Sequence, residues 1–233
     1  MHFVGVDLGW KRSPPVEDGT AVCVLDRRGK MIRSSLVTRN QEIMEMVSGF
    51  PGWVGIDAPL KVPNQRGVRK GERALLDRGI RVLPANRDYM GRTFGGCRGE
   101  EILSEFLDSG YGYSVTESNR SVFEVYPFAI LHLLTGGKVP RYKKGKAPER
   151  RRGMREVLGL MGTLANIEGI GSLFERIEAG RPGQMKSLAD EVDALLCAAC
   201  VYAHRQYGGK RTHLVGGGEE GWILLPRGDD DDQ

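Results

Sequence analysis

Five acidic residues sit where a carboxylate is expensive: Asp7, Asp57, Glu124, Asp190 and Asp193. Asp7 ends the apolar run Phe3-Val4-Gly5-Val6, and Asp57 ends Trp53-Val54-Gly55-Ile56. Glu124 lies inside SVFEVY at 121–126. Asp190 and Asp193 are three apart in a helical run, so they share one face, opposite Leu188, Val192, Leu195, Leu196 and Ala199. An ionised carboxylate in apolar surroundings needs a partner charge, hydrogen bonds or a cation. Clustered carboxylates repel unless a cation sits among them, and hard oxygen ligands suit Mg²⁺ or Mn²⁺ rather than zinc. Two such ions roughly 3.5–4 Å apart would stabilise both the attacking and the leaving oxygens in phosphoryl chemistry.

Four of these acids also have a structural reading. Asp7 and Asp57 are residue types that form turns. Glu124 can pair with an arginine. Asp190 fits a capping pattern, Ser187-Leu188-Ala189-Asp190, as the acid of a first helical turn. Asp193 lies past that turn in an apolar helix and has no such explanation.

The apolar pattern predicts the elements that would hold these side chains. Strands are expected at 3–7, 19–25, 30–37, 52–57 and 121–126. The first three form a meander around the turn Asp26-Arg27-Arg28-Gly29. Helices are expected at 40–48 (capped by Asn40), 66–78, 100–107, 128–134, 150–161 and 187–206, with another running to Ala179. A terminal hairpin, 213–215 with 222–225, turns at Gly216-Gly217-Gly218. The expected class is α/β: a mixed five-stranded sheet, its first three strands antiparallel, flanked by helices, with extra helices in the second half. One elaborated domain is expected over 1–228, with a loop at 11–18 around Pro14-Pro15 and a disordered acidic tail at 229–233.

The chain has 233 residues, 40% of them hydrophobic, a net charge of +4 and a sequence pI near 8.9. That balance permits a polyanionic partner without demanding one. Cys23, Cys97, Cys197 and Cys200 suggest no disulfide framework and read as buried small hydrophobes. No signal peptide and no membrane-length apolar run are seen, so a cytoplasmic protein is expected. Residues 138–155 carry nine Lys or Arg against the single Glu149. Such a run is usually a solvated face; its functional reading is a phosphate-backbone track through Lys143, Lys144 and Lys146, with Tyr142 stacking on a base. Arg66, Arg69 and Arg73 follow Asp57 closely, and Arg69 with Arg73 at i, i+4 would clamp a phosphate or a carboxylate.

The succession VGVDLGW, GIDAPL, FEVYP, DEVDALLCA and EGWILLP resembles the DUF429 family, described as predicted nucleases with a ribonuclease H-like fold. The terminal Asp-x-x-Asp helix is also similar to the end of Holliday-junction resolvases of the RuvC type. The resemblance implies that Asp7, Asp57, Asp190 and Asp193 bind metal and that Glu124 belongs to the catalytic set. The leading expectation is therefore a Mg²⁺- or Mn²⁺-dependent nuclease with a nucleic-acid partner. A phosphotransferase of the actin or sugar-kinase kind, with the glycine run touching a nucleotide, is one alternative, and a non-catalytic binding module is another. A glycosidase needs only two acids and leaves the helix pair unexplained.

Overall fold

Strands from both ends of the chain share one sheet in the computed structural model, which describes residues 1–11 and 19–228. The expected loop beyond Lys11 and the expected tail at 229–233 lie outside the described residues. The strands are β1 (His2–Asp7), β2 (Thr20–Leu25), β3 (Met31–Val37), β4 (Gly52–Ile56), β5 (Gly112–Tyr113), β6 (Ser121–Val125), β7 (Thr212–Gly216) and β8 (Trp222–Pro226). They are ordered β3-β2-β1-β4-β6-β8-β7, and β5 pairs with the start of β6. The first three strands are antiparallel as expected, and β4, β6 and β8 continue parallel to β1. The expected five strands are eight: the terminal hairpin joins β6 through Glu124–Ile223 and Val125–Leu224, and the two-residue β5 is too short to leave a periodic signature.

The helices are α1 (Asn40–Ser48), α2 (Lys70–Asp77), α3 (Arg87–Phe94), α4 (Arg98–Asp108), α5 (Pro127–Leu134), α6 (Ala147–Leu164), α7 (Gly171–Ala179) and α8 (Met185–Gln206). The sequence reading lacks α3, whose RDYMGRTF carries only a short apolar face, Tyr89, Met90 and Phe94. Its ends were legible: the Asn86 side chain accepts from the Tyr89 N–H at 2.9 Å, and Gly95 closes the helix at φ 78°. Asn40 is not the cap of α1. Arg39 holds that position, and Glu42 takes the freed N–H groups of Thr38 and Arg39, both at 2.8 Å.

Alternation along β1 and β4 sends side chains to two cores. Val4, Val6, Val54 and Ile56 pack with Ile43, Val47, Ile102 and Phe106, from α1 and α4. Phe3 and Trp53 pack on the other face with α5, α6, α7 and the long α8. Two glycines let α8 touch that face. Gly5 and Gly55 are register partners on adjacent strands. A Cβ on Gly5 would stand 1.8 Å from the Ala194 carbonyl oxygen, and one on Gly55 would stand 2.8 Å from that of Cys197. The helix answers with small residues, Ala194, Cys197 and Ala198, so backbone rests on backbone. Two residues on from the glycines, on the same face, come Asp7 and Asp57; one residue before Ala194 comes Asp193.

Candidate functional site

The glycine seam brings three acids together: carboxylate oxygens of Asp7, Asp57 and Asp193 lie within 4.8 Å of one another. Asp7 closes β1, and Asp57 follows β4 with its N–H on the Val6 carbonyl at 2.8 Å. Asp193 is 1% exposed. Its Oδ1 accepts from the Tyr142 hydroxyl at 2.7 Å, and its Oδ2 faces the Lys143 ammonium. Beyond that ion pair Oδ2 has no hydrogen-bond partner among the described residues. The same ammonium is 3.9 Å from Asp7 Oδ2. Burial pushes the Asp7 carboxyl well above its ordinary pKa, with Lys143 opposing and Asp193 and Asp57 adding to the rise. Burial likewise pushes Asp57 up to about 7, against Lys143 and with Asp193. Burial works against the charge on Lys143, but Asp193 and Asp7 outweigh it and hold the ammonium well above its usual range. Burial and Asp193 keep the Tyr142 hydroxyl protonated.

Asp190 stands outside this group of three and pairs with Lys186 at 3.3 Å. Burial raises its pKa, with Lys186 opposing. The capping explanation falls, because α8 begins at Met185 and Asp190 lies beyond its first turn.

Glu124 is paired with an arginine. Arg69 is 2% exposed and meets Glu124 with both terminal nitrogens, at 2.9 and 2.5 Å, while its Nε meets Glu72 at 3.0 Å. Leu60 N–H adds a bond to Glu124 at 2.9 Å. The expected Arg69–Arg73 clamp is therefore not formed: Arg69 precedes α2 and is consumed internally, whereas Arg73 faces solvent. Arg66, its side chain 87% exposed, pairs with Asp88.

The basic run is also divided. Tyr142 is buried, with its hydroxyl on Asp193, so its ring face is not open to a base. Arg151 binds the carbonyls of Ile177 and Gly180, and Arg155 pairs with Glu178. Lys144 and Lys146 remain exposed. Sequence reasoning had Lys143 only as part of a surface track and missed its entry into the acid cluster; no local pattern reveals it.

A cavity of about 280 Å³ opens over the acids, lined by Asp7, Asp57, Glu124 and Lys143 and by the apolar Trp10 and Leu83. Trp10 Nε1 donates to the Asp57 carbonyl at 3.1 Å, and the buried Arg98 donates to the Gly9 carbonyl at 2.7 Å, which fixes the chain just past Asp7. Among the described residues, no group donates a hydrogen bond to the Asp7 or Asp57 carboxylate. Three converging carboxylates, one of them with a buried oxygen whose sole partner among the described residues is the Lys143 ammonium, fit a hard divalent cation. All four cysteines are buried and free, as expected. No helix among the described residues is long and apolar enough to cross a membrane.

A family model described as "Protein of unknown function (DUF429)" matches residues 5–220. No curated protein and no solved structure matches.

Proposed function

The chain belongs to the DUF429 family, and we propose that it is a Mg²⁺- or Mn²⁺-dependent phosphodiester hydrolase acting on nucleic acid. The observation that carries this reading is the convergence of Asp7, Asp57 and Asp193 within 4.8 Å, with Asp7 and Asp57 lining a cavity and Asp193 buried behind them. We also read the strand order β3-β2-β1-β4-β6, with an antiparallel opening and parallel continuation, as ribonuclease H-like. That likeness concerns fold and lends the activity only analogy.

A bound divalent ion would supply Lewis acidity and lower the pKa of water. The chain's own groups do the rest. Asp7, Asp57 and Asp193 hold the ion, with Asp190 close enough to add to the negative field. Tyr142 engages Asp193 Oδ1 and so fixes the direction of Oδ2. Trp10 and Arg98 brace the backbone on either side of the acids. Glu124 shapes the field around Asp57 from within its arginine pair. Exposed Lys144 and Lys146 are available to substrate phosphates.

For the phosphotransferase alternative, two of the three glycines of the run are taken up by the hairpin, while a Cβ on Gly218 would meet nothing within 4 Å. A Cβ on Gly216 would meet the Gly221 carbonyl at 2.7 Å, and one on Gly217 would meet the Trp222 ring at 2.9 Å. Both glycines serve the close turn of the β7–β8 hairpin rather than an open loop.

The test is a cleavage panel of single-stranded, duplex and branched DNA and RNA with Mn²⁺, using wild type and Asp57→Asn. Hydrolysis of at least one substrate is expected. Ion-derived stabilisation of several kcal/mol implies a loss of at least about a hundredfold in the variant. Cleavage by Asp57→Asn at the wild-type rate contradicts the reading. Binding without cleavage across the panel favours a non-catalytic module.

A further inference from the structure

We infer that Lys143 is the resident cation of the carboxylate site: its ammonium and a divalent ion compete for the same oxygens, and ion binding expels the lysine side chain toward solvent. The inference rests on the proposed metal-binding role of Asp7, Asp57 and Asp193.

Three observations carry it. The first is position: the ammonium pairs with Asp193 Oδ2 and stands 3.9 Å from Asp7 Oδ2, against two of the three carboxylates that converge within 4.8 Å. An ammonium and a dication cannot share these oxygens without strong repulsion at short range.

The second is an exit. The Lys143 side chain is 45% exposed while Asp193 is 1% exposed, so the lysine reaches down from the surface and withdraws along its own stem. Its four-carbon stem is flexible and its ammonium is well hydrated outside.

The third is a pinned backbone. Tyr142 is buried, its hydroxyl is on Asp193, and its carbonyl accepts from Arg150 Nε at 3.3 Å. Gly153 of α6 lets the strand of chain before it sit close: a Cβ there would be 2.4 Å from the Arg141 carbonyl oxygen. The segment therefore stays docked, and a rotamer change of one side chain suffices to clear the site.

Two measurements test this. In calorimetric Mn²⁺ titrations, Lys143→Met should bind more tightly than wild type. An occupant that leaves the site open about a tenth of the time weakens binding about tenfold, and its removal restores that factor. Equal or weaker binding by Lys143→Met, with wild type binding normally, overturns the inference and leaves the metal site standing. Absence of binding in both proteins removes the metal reading and this inference together.

The second measurement needs no variant and covers the case where Lys143→Met does not fold. Amine acylation of wild type with a small reagent, read by mass spectrometry, should label Lys143 more slowly than the exposed Lys144 without metal. Saturating Mn²⁺ should raise the Lys143 rate to that of Lys144. A Lys143 rate unchanged by bound Mn²⁺ overturns the competition.

Discussion

Two charged clusters share the wall of one cavity, and they are built in opposite ways. In the first, Arg69 faces Glu124 and Glu72, and each carboxylate oxygen has a donor. Arg69 and Leu60 serve Glu124; the Arg69 side chain, the Arg69 N–H and the Ala85 N–H serve Glu72. In the second, Asp7, Asp57 and Asp193 face one ammonium, on a half-exposed lysine side chain, and one hydroxyl. A satisfied buried network rigidifies a fold, whereas an undersupplied one stores a demand that a ligand can meet. The pair teaches that burial of acid alone does not mark a candidate ligand site; the shortage of partners does.

The largest effect should come from breaking the satisfied cluster. Arg69→Met strands two buried carboxylates, and losing one partner of a buried pair costs about 3–5 kcal/mol. Urea denaturation measures it. A cost below about 1 kcal/mol would mean that the two clusters do not differ in kind.

A smaller loss is expected at the seam beneath the other cluster. Gly5→Ala puts a methyl on the Ala194 carbonyl and the Ala198 N–H, at 1.8 and 2.4 Å, so α8 must lift. Overpacking of this sort costs about 1–3 kcal/mol. The sign decides, because an unstrained Gly→Ala change would stabilise by about 0.4–1 kcal/mol. The variant should also lose Mn²⁺ response, since Asp193 rides on α8 next to that contact.

The mildest perturbation is pH. Asp7 is raised by burial, and Asp57 is pushed up to about 7, from unfolded values near 4. The folded protein therefore binds the extra protons. The Asp57 contribution to metal-free stability is fully present below pH about 4 and is lost as pH rises through about 7, and the raised Asp7 acts in the same direction. Metal needs the ionised forms, so the Mn²⁺-induced rise in Tm should grow over the same window. Thermal melts at several pH values with and without Mn²⁺ check this. A Mn²⁺ shift that is flat or falling with pH would mean that these carboxyls are not the ligands.

Much of this arrangement could be read from sequence because it is local. Asp7 and Asp57 end short continuous apolar runs, and Asp193 breaks an apolar helix with no capping excuse. The antiparallel opening followed from the Asp26–Gly29 turn, whose Asp26 carboxylate accepts from the N–H groups of Arg28 and Lys30. What was not legible depends on distant chain. Glu124 and Arg69 are 55 residues apart, and Tyr142 and Asp193 are 51 apart. Lys143 looked like its neighbours in a basic run because charge patterns do not show which lysine bends inward. The role of Gly5 and Gly55 was visible only once α8 lay across them.

The most direct test of an undersupplied acid cluster as a cation site is the loss of the free Mn²⁺ electron paramagnetic resonance signal on adding protein. Asp193→Asn is the right comparison, since the amide oxygen still accepts from Tyr142 while the charge is gone. Wild type should remove Mn²⁺ from solution at close to stoichiometric amounts, and Asp193→Asn should leave nearly all of it free. Equal Mn²⁺ uptake by the two proteins, or none by wild type, would contradict the account and make the Lys143–Asp193 pair a closed structural contact.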